Sequence, residues 1–521
     1  MRLSLLLLLT LPPGFLIGQQ PQNAWSGYAH DARHTAVSTA AAQPLSRIHW
    51  STPVDLNPGA VSGDLYIHYG SPAVTAANTV LIPVKTGAAD GFEIQARSGA
   101  TGDLLYTLST DYTLPAHNWT PSYGLVLSTR LAGSLPGRIP ENVFESTAAL
   151  RVRPPAARLT ERLYYPGAGG TVYYRDDVDS RTGPAGQIAF YGNALYAASP
   201  AALNAGVEIS TPITADSSGN IFFGFTVQGS NPAALVSGIA RIASDGTGSW
   251  AAAQVALNCA PALSNDETTL YFAVSNGAEF GSGSLVAVNS ATLATLAQVE
   301  LTDPRGGLAT VSSDSSASPM VGPDGDVYYG VLETACCGSH NDRGWMLHFN
   351  STLTQTKIPG SFGWDDTASV VASSLVPSYK GTSSYLILTK YNNYVGIGTG
   401  TGVNQLAVLD PNTAMPDKYS TATVMNEVLT IDGVTPDPNA GFPNAVREWC
   451  INTAVIDPSS KSALVNSEDG VLYRWDFTTN RFIESLRLTS GRGEAYTPTL
   501  IGADGTVYAI NDALLFAAGA N

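Results

Sequence analysis

Short runs rich in β-branched and aromatic residues recur along this chain, each ended by a turn of Gly, Asp, Asn or Ser. One unit can be read eight times: a small residue often followed by Pro, a short apolar stretch, a turn, then an aromatic-rich run. Copies begin at Ser71, Thr120, Thr211, Ala260, Ser318, Ser373, Asn452 and Thr497, between 45 and 91 residues apart. The turns DSSGN, PDGD and ADGT supply the side-chain bonds and positive φ of a tight hairpin. The flanking IFFGF, DVYYGV and TVYAI carry strand chemistry. Further strands follow at 92–108, 284–301, 405–417 and 472–488, where an apolar strand ends in a Thr- or Gly-rich turn and another strand leaves. Four antiparallel strands per repeat predict a propeller blade. The expectation is an all-β chain forming a single eight-bladed β-propeller over 45–521, with insertions near 133–160 and 411–446; seven blades is the alternative. The final unit supplies only three strands, whereas LSRIHWSTPV (45–54) is a strand without a blade. Pairing the two would close the ring and remove its exposed edges.

The first 20 residues, MRLSLLLLLTLPPGFLIGQQ, read as a signal peptide cut near Gly18 to Gln20, followed by an extended segment over 21–44. No later stretch approaches a membrane-spanning length. The expectation is therefore a secreted or periplasmic protein without a transmembrane segment after processing. Lys and Arg number 26 against 42 Asp and Glu, a formal charge of −16. That balance argues against nucleic acid and anionic membranes as partners. With four cysteines and no CxxC pair, a zinc site is not expected in an oxidising compartment. Cys259 and Cys450 precede the first strands of different blades and are expected as buried thiols.

Segments leading into first strands converge near a propeller axis and commonly bind ligands. The polar and aromatic residues there are the candidate ligand set: Trp119 beside His117, Arg343 in HNDRGW, Trp364, Asp365 and Asp366 in FGWDDTAS, Arg447, Glu448 and Trp449 in NAVREWC, and Arg492, Glu494 and Tyr496 in GRGEAYTP. The rings can stack on a ligand, and Arg with carboxylate can orient one; the same groups can equally pair across neighbouring blades and plug the channel. Asp365 and Asp366 could hold calcium through oxygen ligands. His30 and His34 read as surface or packing residues. There is no GxSxG, no HExxH, no glycine-rich phosphate loop with Lys and no CxxCH.

The pattern SPxV, DGxVY and AxDxxTG resembles repeats of the pyrroloquinoline-quinone-binding-like propeller superfamily, which includes quinoprotein alcohol dehydrogenases. SGATGDLLYTL (98–108) is the clearest copy, with Tyr106 and Thr107 where those repeats place a docking Trp. DVYYGV, VREWCINTAV and SEDGVLYRWD resemble secreted bacterial members with no assigned activity. The resemblance implies a disulfide between the adjacent Cys336 and Cys337, since the family's dehydrogenases hold such a pair against the quinone. Here five residues, not four, separate the pair from Arg343-Gly344, and the pair follows a second strand instead of preceding a first. The bond would brace the loop or seat a planar cofactor. The leading expectation is a non-catalytic propeller, without resident cofactor, binding a small ligand or envelope protein at its rim. One alternative is a quinone-dependent dehydrogenase: Cys336-Cys337 and Trp364 would sandwich PQQ, calcium would polarise it, and Asp365 or Asp366 would act as base. A carbohydrate-active lyase or glycosidase using Asp366 and Glu448 is another.

Overall fold

The predicted hairpin turns are where the chain reverses. Gly325 and Gly505 hold φ of 89° and 86°, a left-handed backbone that admits Gly at no steric cost. In this computed structural model the described residues are 25–61, 64–65, 69–87, 91–113, 123–131, 159–277, 280–312, 315–334, 338–438, 441–491 and 495–521. Apart from one two-stranded hairpin, their strands form eight sheets of antiparallel strands, the blades of an eight-bladed propeller. Residues 1–24, with the expected signal peptide, and 132–158, with nearly all of the first expected insertion, lie outside the described residues.

Blade 8 shows how the ring closes. Leu500–Ile501, Val507–Asn511 and Leu514–Gly519 come from the end of the chain, and Arg47–Pro53 completes the sheet. Arg47 lies opposite Gly519 and Pro53 opposite Leu514. Trp50 on this strand donates its Nε1–H to the Gly99 carbonyl at 2.9 Å, docking blade 8 on the turn of blade 1.

Three details depart from the expectation. Blade 6 starts with Ser369–Ala372, four residues before the predicted start; Ser373–Leu375 is a 3₁₀ turn. The apolar run that pairs is SVVA, and Pro377 lies beyond it. Much of the expected 411–446 insertion is sheet, because Gln405–Pro416 and Thr423–Asp432 form a long bulged hairpin, the outer half of blade 6. Blade 5 keeps three regular strands, Met320–Val321, Val327–Val331 and Trp345–Phe349, and its fourth is reduced to bridges at Thr356 and Gly360. Pro359 lacks an N–H and cannot continue that ladder; its carbonyl instead accepts the Met425 N–H of the blade 6 hairpin.

Of the segment expected to be extended over 21–44, the described part, 25–44, is a strap turned by positive φ at Ala29, His30, His34 and Ala36. It runs around the inside of the ring. Trp25 pairs with Val74 of blade 1, and the Ser26 carbonyl accepts Leu127 N–H of blade 2. Carbonyls of Ala32, Arg33, Thr35 and Ala36 accept the N–H groups of Leu263, Val321, Val370 and Ile456, on the first strands of blades 4 to 7. Gln43 N–H reaches Gly505 in blade 8. Asp31 braces the turn, accepting the Arg33 and Thr35 N–H groups, the Thr35 hydroxyl and the Arg33 guanidinium. Trp25, Ala29, His34 and Ala36 are buried, so the strap's side chains fill the axis that the first strands leave open.

Candidate functional site

The lead-in segments of blades 5, 6 and 7 meet on the axis. The Thr367 N–H donates to the Asn452 carbonyl, and the Ser318 N–H donates to Thr367 Oγ1 at 3.0 Å. Ser316 gives both its N–H and its hydroxyl to Asp365 Oδ1, at 2.6 and 2.8 Å. Asn452 Nδ2 donates to Ser316 Oγ at 2.8 Å. Asp365 sits at φ 48°, a left-handed conformation that Asp tolerates better than most residues.

Asp366 differs from its neighbour. It is buried, and its Oδ2 has no hydrogen-bond partner. Burial pushes its carboxyl up to about 7; the Lys390 ammonium and the Thr389 hydroxyl pull the other way. Lys390 is the one cation in the apolar strand Tyr385–Tyr391 and is itself buried, its ammonium 5.9 Å from the Phe362 ring centre and 5.8 Å from that of Tyr496. A carboxyl poised near neutrality, with a buried ammonium among the groups acting on it, can take and return a proton at working pH. Trp364, two residues before Asp366, lines a cavity of about 420 Å³ with Tyr394, Asp342, Val395, Val446 and Glu448; Asp366 and Lys390 are not among its lining residues.

The other predicted residues divide by burial. Arg343 is fully buried between the rings of Tyr391 and Tyr419, 4.3 and 4.4 Å from their centres. Its Nε donates to the Ser361 carbonyl at 3.0 Å and its Nη1 to that of Asn392, while Nη2 has no partner. Its loop is pinned from beneath: buried Glu333 accepts the N–H groups of His340, Asp342 and Gly344 at 2.7, 3.2 and 3.1 Å. Trp449 is buried against Tyr473 and Phe482 in the core shared by blades 6 and 7 and presents no face to the rim. Arg447 pairs with Asp437 at 3.7 Å. Half-buried Tyr496 faces Lys390. Trp119, His117, Arg492, Glu494, Cys336 and Cys337 lie outside the described residues. Cys259 and Cys450 are both buried thiols; burial pushes Cys259 up to about 12.

The donor set does not suit calcium at Asp365 and Asp366. One Asp365 oxygen already receives both Ser316 donors, and Asp366 titrates near neutrality under the field of a lysine, whereas a hard cation takes six to eight oxygens. Among the described residues the metal-ligating side chains that gather in a group of three are Glu448, Cys450 and Glu468, within 4.8 Å, where Cys450 Sγ donates to Glu468 Oε2. Trp364 and Tyr394 at the cavity wall are flat faces on which a planar organic group could stack. Sequence reasoning missed Lys390, Glu333, Tyr28, Thr367 and Asn452. An available signal was YLILTKY, in which a single ionisable residue interrupts a strand otherwise suited to burial.

No family model matches the sequence, and no curated protein matches it. Solved structures do resemble the fold. A europium-containing methanol dehydrogenase is 9% identical over 95% of this chain and 91% of its own, with a TM-score of 0.54. The quinohemoprotein alcohol dehydrogenase from Comamonas testosteroni is 9% identical over 95% of this chain and 80% of its own, also at 0.54. That from Pseudomonas putida HK5 is 11% identical over 96% of this chain and 77% of its own, at 0.50. The chain shares its propeller fold with these dehydrogenases, as the repeat resemblance implied. These matches also correct the leading expectation of a non-catalytic binding module: these three structures, each matched over 95% or more of this chain, are dehydrogenases, and the dehydrogenase alternative is the one carried forward.

Proposed function

We propose that the chain is a quinone-dependent oxidoreductase acting on alcohols, with its reacting centre where the lead-in segments of blades 5, 6 and 7 meet. The observation that supports it is Asp366: buried, orphaned at Oδ2 and held near neutrality. A bound quinone would accept the two electrons released as the alcohol becomes a carbonyl compound. Asp366 takes the hydroxyl proton. Lys390 tempers the cost of the carboxylate charge that Asp366 carries before it takes the proton and becomes neutral, and Trp364 and Tyr394 provide flat walls from which water is displaced. The chain has no CxxCH, so electrons leave to a separate acceptor. A signal peptide at residues 1–20 would carry this chemistry out of the cytoplasm, and among the described residues no helix is long and apolar enough to cross a membrane.

Reconstitution tests the reading. The full chain is mixed with pyrroloquinoline quinone, with and without Ca²⁺, and followed by quinone absorbance and dye-linked oxidation of primary alcohols. Saturable binding and oxidation are expected, with kcat/KM rising through pH about 7 as Asp366 loses its proton. An unchanged spectrum and no turnover with either mixture would remove the reading.

A further inference from the structure

We propose that Tyr28, carried up the axis by the N-terminal strap, is a positioning residue of the rim site. It ties the lead-in segments of blades 5, 6 and 7 together from below and so fixes the ground on which Asp366 stands. The phenol oxygen lies 2.9 Å from Thr367 Oγ1 and 3.2 Å from the Ser316 carbonyl, and it donates to Asn452 Oδ1. Each of the three segments meeting at the centre contributes one partner. Those partners also bind one another, through Ser318 to Thr367, Thr367 to Asn452 and Asn452 to Ser316, so the hydroxyl sits at the hub of a closed network. Thr367 follows Asp366 directly, and Ser316 is the residue that holds Asp365.

The strap keeps the ring of Tyr28 in place independently of the hydroxyl. The His34 ring packs edge-on against it at 4.9 Å, and His34 Nδ1 donates to the Pro319 carbonyl at 2.7 Å. Burial lowers His34 to about 4, so it is neutral at physiological pH and serves as a wall. Burial raises the Tyr28 phenol well above its ordinary range, which keeps it a hydrogen-bond donor throughout. The strap's backbone bonds to seven blades do not involve the phenol. Removing only the oxygen therefore leaves the strap seated and frees the three lead-in segments.

The test is Tyr28→Phe in the full chain. Amide exchange at Ser318 and Thr367 should quicken about tenfold while that of Leu81 in blade 1 stays unchanged. In the reconstituted enzyme kcat should fall about tenfold with KM within about twofold and the melting temperature nearly unmoved, a split that a purely structural role would not give. The kinetic arm rests on the reading of Asp366 as base; the exchange arm does not. Wild-type exchange rates at both amides in Tyr28→Phe overturn the proposal, as does an active enzyme whose kcat is unchanged. If the wild-type chain oxidises no alcohol, the oxidoreductase reading fails and amide exchange alone decides the role of Tyr28.

Discussion

Two buried acids in neighbouring blades differ in everything but burial. Glu333 in blade 5 is surrounded by donors: three backbone N–H groups converge on its two oxygens and hold the loop from His340 to Gly344. Asp366 in blade 6 keeps one oxygen with no donor at all, and burial, opposed by Lys390, sets its carboxyl near neutrality. A buried carboxylate that receives N–H bonds is a brace, and removing it orphans its donors. One that keeps an oxygen without a donor, as Asp366 does at Oδ2 despite the pull of Thr389 and Lys390, carries an unmet electrostatic cost, the condition under which a side chain exchanges protons near pH 7. The sequence offered the Asp366 segment and the Arg343 loop as equal candidates; the hydrogen-bond inventory separates them.

The comparison breaks first, and by the largest margin, at Asp366. Asp366→Asn should lower kcat for alcohol oxidation about 10³-fold without loss of fold. Because the folded carboxyl is raised to about 7, the stability it lends is complete below the unfolded value and drains away as pH rises through 7. The amide should therefore melt higher than wild type at pH 8 and show no such advantage at pH 4 in thermal scans. An amide variant that retains full turnover would end the base assignment. Glu333→Ala should cost about 3 kcal/mol in urea denaturation, since three buried N–H groups lose their acceptor; a cost below about 1 kcal/mol would mean that Glu333 is no brace.

A third carboxylate sharpens the contrast. Asp303 accepts from the Trp345 indole, the Thr334 N–H and Arg305. Burial pushes it up, but those donors, the Arg305 side chain foremost, carry it down to about 2. Its contribution is present above the unfolded pKa and is lost as pH falls through about 2. Arg305→Ala should move acid unfolding to higher pH and cost about 1 kcal/mol, with Arg305 partly exposed and its ion pair screened by solvent. The smallest effect belongs to a pair at the surface whose lysine is exposed: Lys418→Ala, which unlinks Glu427, should shift the unfolding free energy by less than about 0.5 kcal/mol.

The ring was legible because its signals are local. Asp-Gly turns, alternating strands and a three-strand remnant at the end of the chain lie within windows that a single hairpin spans, and the closing strand at Arg47–Pro53 followed from counting. The blade 6 start slipped by four residues because small residues flank its apolar run on both sides. The strap was read as extended because the left-handed turns at Ala29 and Ala36 fall on residues with no sequence preference for them. The site was legible only in part. The segments holding Thr367 and Asn452 do meet, but the blade 5 segment at Ser316 that joins them was not among the candidates, and which acid keeps its donors depends on residues distant in the chain. Ser316 serves Asp365, Lys390 reaches Asp366 from the next strand, and Trp449, predicted as a stacking face, turns into the core between blades.

The pairing of Arg47–Pro53 with Leu514–Gly519 has a consequence for how the molecule is made. The strand that seals the ring leaves the ribosome among the first and waits, its hydrogen-bonding edge unmatched, until nearly the whole polypeptide exists. A contact of such long sequence separation forms late and slowly. Seven blades can assemble as they emerge, but the circle, and with it the shared floor under the rim, comes into being in a single final step.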